Sequence, residues 1–160
     1  MKKPLYTRVL QIGFVVRDCE KTAKVYVDKY GIGPWEIYGP DCLKDVTQYG
    51  KPCPMQIKVA SCFLRDVELE LIEPLDDISM YADFLKEHGE GMHHLAMESD
   101  FGRAMEFCKE KDIPVTLAGE FGTGEFYAYM DDSKETKCIV ELYDSRPGSS
   151  YPEPIKVIGA

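Results

Sequence analysis

Two of the chain's three histidines are adjacent, in the stretch "GEGMHHLAM" from Gly89 to Met97. Neighbouring side chains of a regular strand point to opposite faces, so His93 and His94 would not share one cavity. A repeat within the chain gives one of them partners. "QIGFVVRD", starting at Gln11, stands over "HLAMESD", starting at His94, and "ELIEP", starting at Glu70, stands over "ELYDS", starting at Glu141. Gln11 therefore matches His94, and Glu70 matches Glu141. Each of the four sits in an otherwise apolar strand, where a carboxylate without a partner is costly. A divalent cation between them would remove that cost. Three oxygen donors and one imidazole nitrogen suit a five- or six-coordinate ion whose shell water completes. A second reading of "VELELIEP" is a solvated face carrying Glu68 and Glu70 together. His93 reads as structural, and His88, before Gly89, as a helix C-terminal histidine favoured by the dipole.

The elements that must position these residues follow from periodicity. "RVLQIGFVV" is β-branched and apolar, as a buried strand is. Asp18 then caps a helix with Ala23, Val25, Tyr26 and Tyr30 near its stripe, ending at Gly31. A short strand covers Trp35 to Tyr38, and a loop of open form covers Asp41 to Pro54. "MQIKVASCFL" and "VELELIEP" are two strands joined at Arg65 and Asp66. "ISMYADFLKEHG" is a linking helix. The order then restarts: the strand "MHHLAMES", a helix with a serine cap and a stripe of Phe101, Met105 and Cys108, and the strands "IPVTLAG", "EFYAYMDD" and "KCIVELYD". Strand, helix and three strands, used twice, is a repeated supersecondary unit. The expectation is an α+β fold: a single domain over residues 1–145, with module one at about 5–75 and module two at about 90–145. Residues 146–160 form a C-terminal extension, read as an extended arm or partner contact.

Length and composition set the frame. The chain has 160 residues, 44% hydrophobic and 29% charged, which is ordinary for one soluble domain. A net charge of −9 argues against nucleic acid, because phosphate binding needs a basic footprint, and it argues against an anionic membrane. The six cysteines include no CxxC pair, so a reducing, cytoplasmic location with free thiols is expected. Met1 to Leu5 is charged with no apolar run behind it, which does not read as a secretory signal.

"LQIGFVVRDCEKTAKVYVDKYGIGPWEIY" resembles the opening of the vicinal oxygen chelate superfamily, which includes glyoxalases and bleomycin-resistance proteins. "ELELIEPLDD" with "FLKEHGEGMHHLAM" is similar to its methylmalonyl-CoA epimerase branch. The resemblance implies paired βαβββ modules in a curved, barrel-like mixed sheet with a metal-binding cleft, and a homodimer. Carried over by position, the metal ligands fall on Gln11, Glu70, His94 and Glu141, with Co, Ni, Zn, Mn and Mg all open as the ion. The chemistry implied is proton removal next to a carbonyl. Glu141 is the base and Glu70 the alternative, and the substrate is a small molecule such as an acyl-CoA thioester. Two departures stand. Epimerases of this type usually carry histidine where this chain has Gln11, and a Gln, Glu, His, Glu set is similar to one form of glyoxalase I, a lactoylglutathione lyase. No Asp or Glu lies between Asp45 and Asp66 to serve as a second base; Gln56 and Lys58 are there instead. A non-catalytic small-molecule-binding module of the same fold is a third reading, with Trp35, Tyr38, Tyr49, Phe63 and Tyr127 as cleft aromatics.

Overall fold

A computed structural model of the protein describes residues 4–159; the charged start read at Met1 to Lys3 lies outside the described residues. The first module begins with β1 (Tyr6–Val15) and α1 (Cys19–Tyr30). The Asp18 carboxylate accepts from the Lys21 N–H at 2.8 Å, and Gly31 closes the helix with φ of 66°, a left-handed conformation that glycine adopts without a Cβ penalty. There follow β2 (Trp35–Tyr38), a 3₁₀ turn (Pro40–Cys42), β3 (Leu43–Gln48), β4 (Lys51–Pro52), β5 (Ile57–Leu64) and β6 (Val67–Pro74). After α2 (Met80–His88), the second module runs through β7 (Gly91–Ser99), α3 (Phe101–Glu110), β8 (Val115–Phe121), β9 (Thr123–Met130), a short α4 (Ser133–Thr136) and β10 (Ile139–Ser150), and β11 (Lys156–Ile158) is the last element among the described residues. Among the described residues no helix is long and apolar enough to cross a membrane. All six cysteines are free thiols.

The strands form one eleven-stranded mixed sheet in the order β11-β2-β5-β6-β1-β7-β10-β9-β8-β3-β4. The opening strands β1 and β7 pair antiparallel at its middle, and each has the closing strand of its own module, β6 or β10, parallel on its outer side. The two units are thus related by a pseudo-twofold about the β1–β7 seam. Outside the sheet, α1 buries Cys19 and Ala23 against Trp35, Ile37, Ala60 and Leu71, and α3 buries Ala104 and Cys108 against Ala128 and Leu142. Val25 and Tyr30 face outward rather than joining the α1 stripe. Asp100, not Ser99, caps α3: its carboxylate accepts from the Arg103 N–H at 3.1 Å, while Ser99 still belongs to β7.

Two segments cross between modules. The stretch from Asp41 to Pro54, of open form in the sequence, contains the β3–β4 pair, and β3 lies antiparallel on β8 at the edge of module two. The C-terminal extension is not a free arm. β10 runs on to Ser150, paired with Thr123, and β11 lies antiparallel on β2 at the edge of module one. Each module's outer edge is covered by a segment following the other module or belonging to it. Exposed strand edges invite pairing with other chains, and here the chain itself supplies the partners.

Candidate functional site

Alternation along β1 turns Gln11 and Gly13 into the interior, and the parallel register sets Gln11 beside Glu68. Glu70 lies two residues further on the same face of β6. From the other module, β7 brings His94 opposite Gly13, and β10 brings Glu141 beside Ala96. Gly13 is required by this arrangement. A Cβ there would lie 1.9 to 2.5 Å from atoms of the His94 ring, so only glycine lets the imidazole lie across β1.

All four residues read from the repeat come together at the seam. His94, 0% exposed, places its Nε2 3.0 Å from Gln11 Oε1, 3.1 Å from Glu141 Oε2 and 3.3 Å from Glu70 Oε2. One imidazole nitrogen can serve one of these three oxygens with a hydrogen. The Glu141 contact is an ion-pair distance without hydrogen-bond alignment, and Glu141 Oε2 is buried with no hydrogen-bond partner. Burial by itself lowers the His94 pKa, but Glu141 and Glu70 outweigh it and push it up to about 10. Burial raises the Glu141 carboxyl, opposed by the His94 charge. Among the described residues no three His, Cys, Asp or Glu side chains form a ready metal-holding group; the oxygens converge on the imidazole itself, and one of them belongs to an amide.

A second layer surrounds the four. Gln11 Nε2 donates to Glu68 Oε2 at 2.9 Å, and Ser61 Oγ donates to the other oxygen of that carboxylate. Burial raises the Glu68 pKa to about 7. On the far side, His94 Nδ1 lies 3.1 Å from His93 Nδ1 and 3.2 Å from the Tyr129 hydroxyl, which is 2.8 Å from that of Tyr81. Burial, then the neighbouring His94, holds the His93 pKa well below the usual value, so His93 is neutral and can accept a hydrogen from His94 Nδ1. Tyr81, Tyr127, Tyr129, Tyr143 and Tyr151 wall the cavity in front of the carboxylates. It has about 30 Å³ open to the centre of a water-sized sphere, room for a water or two. The Tyr127 hydroxyl beside it has no hydrogen-bond partner.

Several expectations change. His93 does not turn to the opposite face. The register slips by one residue between Gly13↔His94 and Phe14↔Met92, and this bulge leaves His93 unpaired and beside His94. Lys58 points away from the cleft, 3.3 Å from Glu20 and 3.7 Å from Glu73. Burial alone would lower its pKa, but these carboxylates raise it, so it is an ammonium and no base. Gln56 is exposed. Of the proposed cleft aromatics, Tyr127 lines the cavity and Tyr38 packs behind Tyr151. Trp35 is buried under α1, and Tyr49 and Phe63 are exposed. His88 ends α2 as read. Sequence reasoning does not single out Glu68 and Ser61 as site residues; the signal available is the alternation that puts Glu68 on the face of Glu70.

A family model described as Glyoxalase/Bleomycin resistance protein/Dioxygenase superfamily matches residues 10–129. No curated protein matches the chain. Solved structures share the fold at low identity. Methylmalonyl-CoA epimerase from Mycobacterium tuberculosis is 19% identical over 92% of this chain and 93% of its own, with a TM-score of 0.68. A methylmalonyl-CoA epimerase in complex with methylmalonyl-CoA and NH4+ is 20% identical over 92% and 99%, with a TM-score of 0.67. A hypothetical protein from Bacillus halodurans is 21% identical over 89% and 97%, with a TM-score of 0.64.

Proposed function

From the premise that the chain belongs to the Glyoxalase/Bleomycin resistance protein/Dioxygenase superfamily, we propose that it is a metal-dependent isomerase of the methylmalonyl-CoA epimerase kind, removing a proton next to a carbonyl. The observation that carries this reading is the convergence of Gln11, Glu70 and Glu141 oxygens on His94 Nε2 within 3.3 Å. Three oxygen donors gathered around one imidazole nitrogen at 3.0 to 3.3 Å are a donor set that would suit a divalent cation. The orphaned Glu141 Oε2 fits the same assignment. Gln11, Glu70, His94 and Glu141 would hold a divalent ion, which supplies polarisation of the substrate carbonyl and a counter-charge for the enolate oxygen.

The remaining chemistry belongs to side chains. Glu141 is the base, because its carboxyl is raised by burial, which strengthens it as a proton acceptor, and its Oε2 is committed to no hydrogen bond. The proton leaves carbon for Glu141, and the electron pair moves onto the carbonyl oxygen, to which the unpartnered Tyr127 hydroxyl can donate. For inversion, Glu70, from the other module, must enter the step as the acid: it gives its own proton to the opposite face of the carbon and is left a carboxylate, while Glu141 keeps the proton it took. His93 holds the His94 ring by accepting from Nδ1, and the tyrosine wall limits the water at the carboxylates to about one or two molecules. The homodimer implied by the resemblance belongs to the same proposal; sedimentation at the mass of one chain would remove it.

Incubation of metal-loaded protein with (2R)-methylmalonyl-CoA in deuterated water is expected to exchange the C2 hydrogen. In Glu141→Gln the rate should fall by about 10²–10⁴. No exchange in the parent protein would exclude this substrate. A specific feature favours a second substrate, the hemithioacetal of methylglyoxal and a thiol used by glyoxalase I-like lyases. The inner face of β5 presents Ile57, Val59 and Ser61, with no carboxylate for a separate second base. Turnover of that adduct without exchange of the thioester would decide for it. Absence of both, with a small molecule bound, would decide for a non-catalytic module.

A further inference from the structure

We propose that Glu68 is a positioning residue that fixes the Gln11 amide with its oxygen turned to the site; the inference rests on the reading of Gln11 as a metal ligand. A carboxylamide presents an acceptor at one end and a donor at the other, in nearly the same shape. Only the oxygen can bind a cation, so an amide ligand needs a partner that distinguishes its two ends, whereas the two oxygens of a carboxylate are equivalent. Glu68 is that partner. Its Oε2 accepts from Gln11 Nε2 at 2.9 Å, which leaves Gln11 Oε1 3.0 Å from His94 Nε2. With Glu68 ionised, a flipped amide would set oxygen against carboxylate oxygen.

The surroundings of Glu68 hold it in this role. Ser61 Oγ donates to Oε1, and the Tyr151 hydroxyl lies 3.5 Å from Oε2. The carboxylate is therefore clamped between β1, β5 and the segment after β10. Its partners are an amide, a hydroxyl and a phenol, with no cation among them, although Glu68 is 5% exposed. Packing does not explain a carboxylate there, since an apolar residue would fill a buried strand position at less cost. Ligands of metals are oriented by outer partners in this manner, and loss of such a partner typically weakens metal affinity about 10–100-fold.

The test is titration of the full-length, metal-free protein with Co²⁺, followed by calorimetry and by the visible absorption of the bound ion. Glu68→Leu is expected to weaken Co²⁺ binding about 10–100-fold and to alter the spectrum. Glu68→Gln, which keeps an oxygen facing Gln11 Nε2, is expected to restore both close to the parent values; a merely structural role would not produce that split in the spectrum. Parent affinity and spectrum in Glu68→Leu, with Gln11→Ala impaired, would overturn the positioning role alone. Failure of the parent protein to bind Co²⁺ would overturn the ligand reading and this inference with it. If Glu68→Leu does not fold, the side-chain NH₂ of Gln11 in the metal-free parent protein decides. Slow hydrogen exchange by ¹⁵N NMR supports the bond to Glu68, and free exchange overturns it.

Discussion

His94 carries the charge of the site when no cation is bound. Burial opposes its protonation, yet Glu141 and Glu70 raise the pKa to about 10, so below that pH the imidazolium is the counter-ion of two carboxylates. A divalent ion ligated by Nε2 must displace that proton. The apparent Co²⁺ or Zn²⁺ affinity is therefore expected to rise about tenfold per pH unit between pH 6 and 9, with proton release visible in weakly buffered titrations; a pH-independent affinity would contradict the assignment. The stability of metal-free protein has the opposite sign. A pKa raised in the folded state stabilises below the unfolded value, near 6.5, and that contribution is lost as pH rises through about 10. The melting temperature of metal-free protein should accordingly fall on the alkaline side, and His94→Ala should remove this dependence. Gly13→Ala is a separate probe. Its methyl would meet the His94 ring within 2.5 Å, an overpacking expected to cost about 1–3 kcal/mol and to displace the ligand, so stability and metal affinity should fall together. Loss of stability with unchanged metal affinity would show that the ring position does not set the site.

Local elements are legible where their signals are local. Asp18 and Gly31 mark the ends of α1, and the repeat identifies the strands that carry Gln11, Glu70, His94 and Glu141. What escapes depends on distant segments of the chain. "LKDVTQ" has the pattern of a polar loop, and it becomes β3 because β8 offers an unpaired edge. The bulge at His93 arises from the register between β1 and β7, which two strand sequences taken singly do not contain. Glu68 reads only as a face-mate of Glu70, because its partner Gln11 arrives from β1, 57 residues away. The segment between Ser150 and Lys156 is the clearest case. Read alone, its two prolines, Pro152 and Pro154, suggest an arm, yet it is fixed by Thr123 at one end and by the Ile155 N–H to Ile37 O bond of 2.8 Å at the other. Between these anchors Tyr151 packs edge-on against Phe121 at 5.2 Å and Tyr38 at 6.2 Å and roofs a cavity that admits little more than water. If a substrate enters past Tyr151, this roof must lift to admit it to Glu141. Tyr151→Ala is therefore expected to speed removal of bound metal by a chelator severalfold with the fold retained by circular dichroism. An unchanged rate would place the entrance elsewhere.

For the whole molecule, the decisive feature is that the candidate site belongs to neither module alone. Gln11 and Glu70 come from the first and His94 and Glu141 from the second, across a continuous β1–β7 seam. The β3 and β11 crossings tie each outer edge to the other half. Separation of the modules would expose both edges and pull the Glu70 carboxylate and the Gln11 amide away from the imidazole they face, so unfolding is expected as one transition rather than two. A cation bound at the seam stabilises only the joined state. At a free concentration about 1,000 times its dissociation constant it adds about 4 kcal/mol, and a chain of this size gains about 2–4 °C in Tm for each kcal/mol. Differential scanning calorimetry should therefore show one peak, raised by about 8–16 °C with saturating Co²⁺. Gln11→Ala, in one module, and Glu141→Ala, in the other, should each reduce the shift. A full shift in Glu141→Ala would place the ion off the seam. Two peaks, with only one of them moving, would mean that the modules fold separately and that the ion belongs to a single one of them.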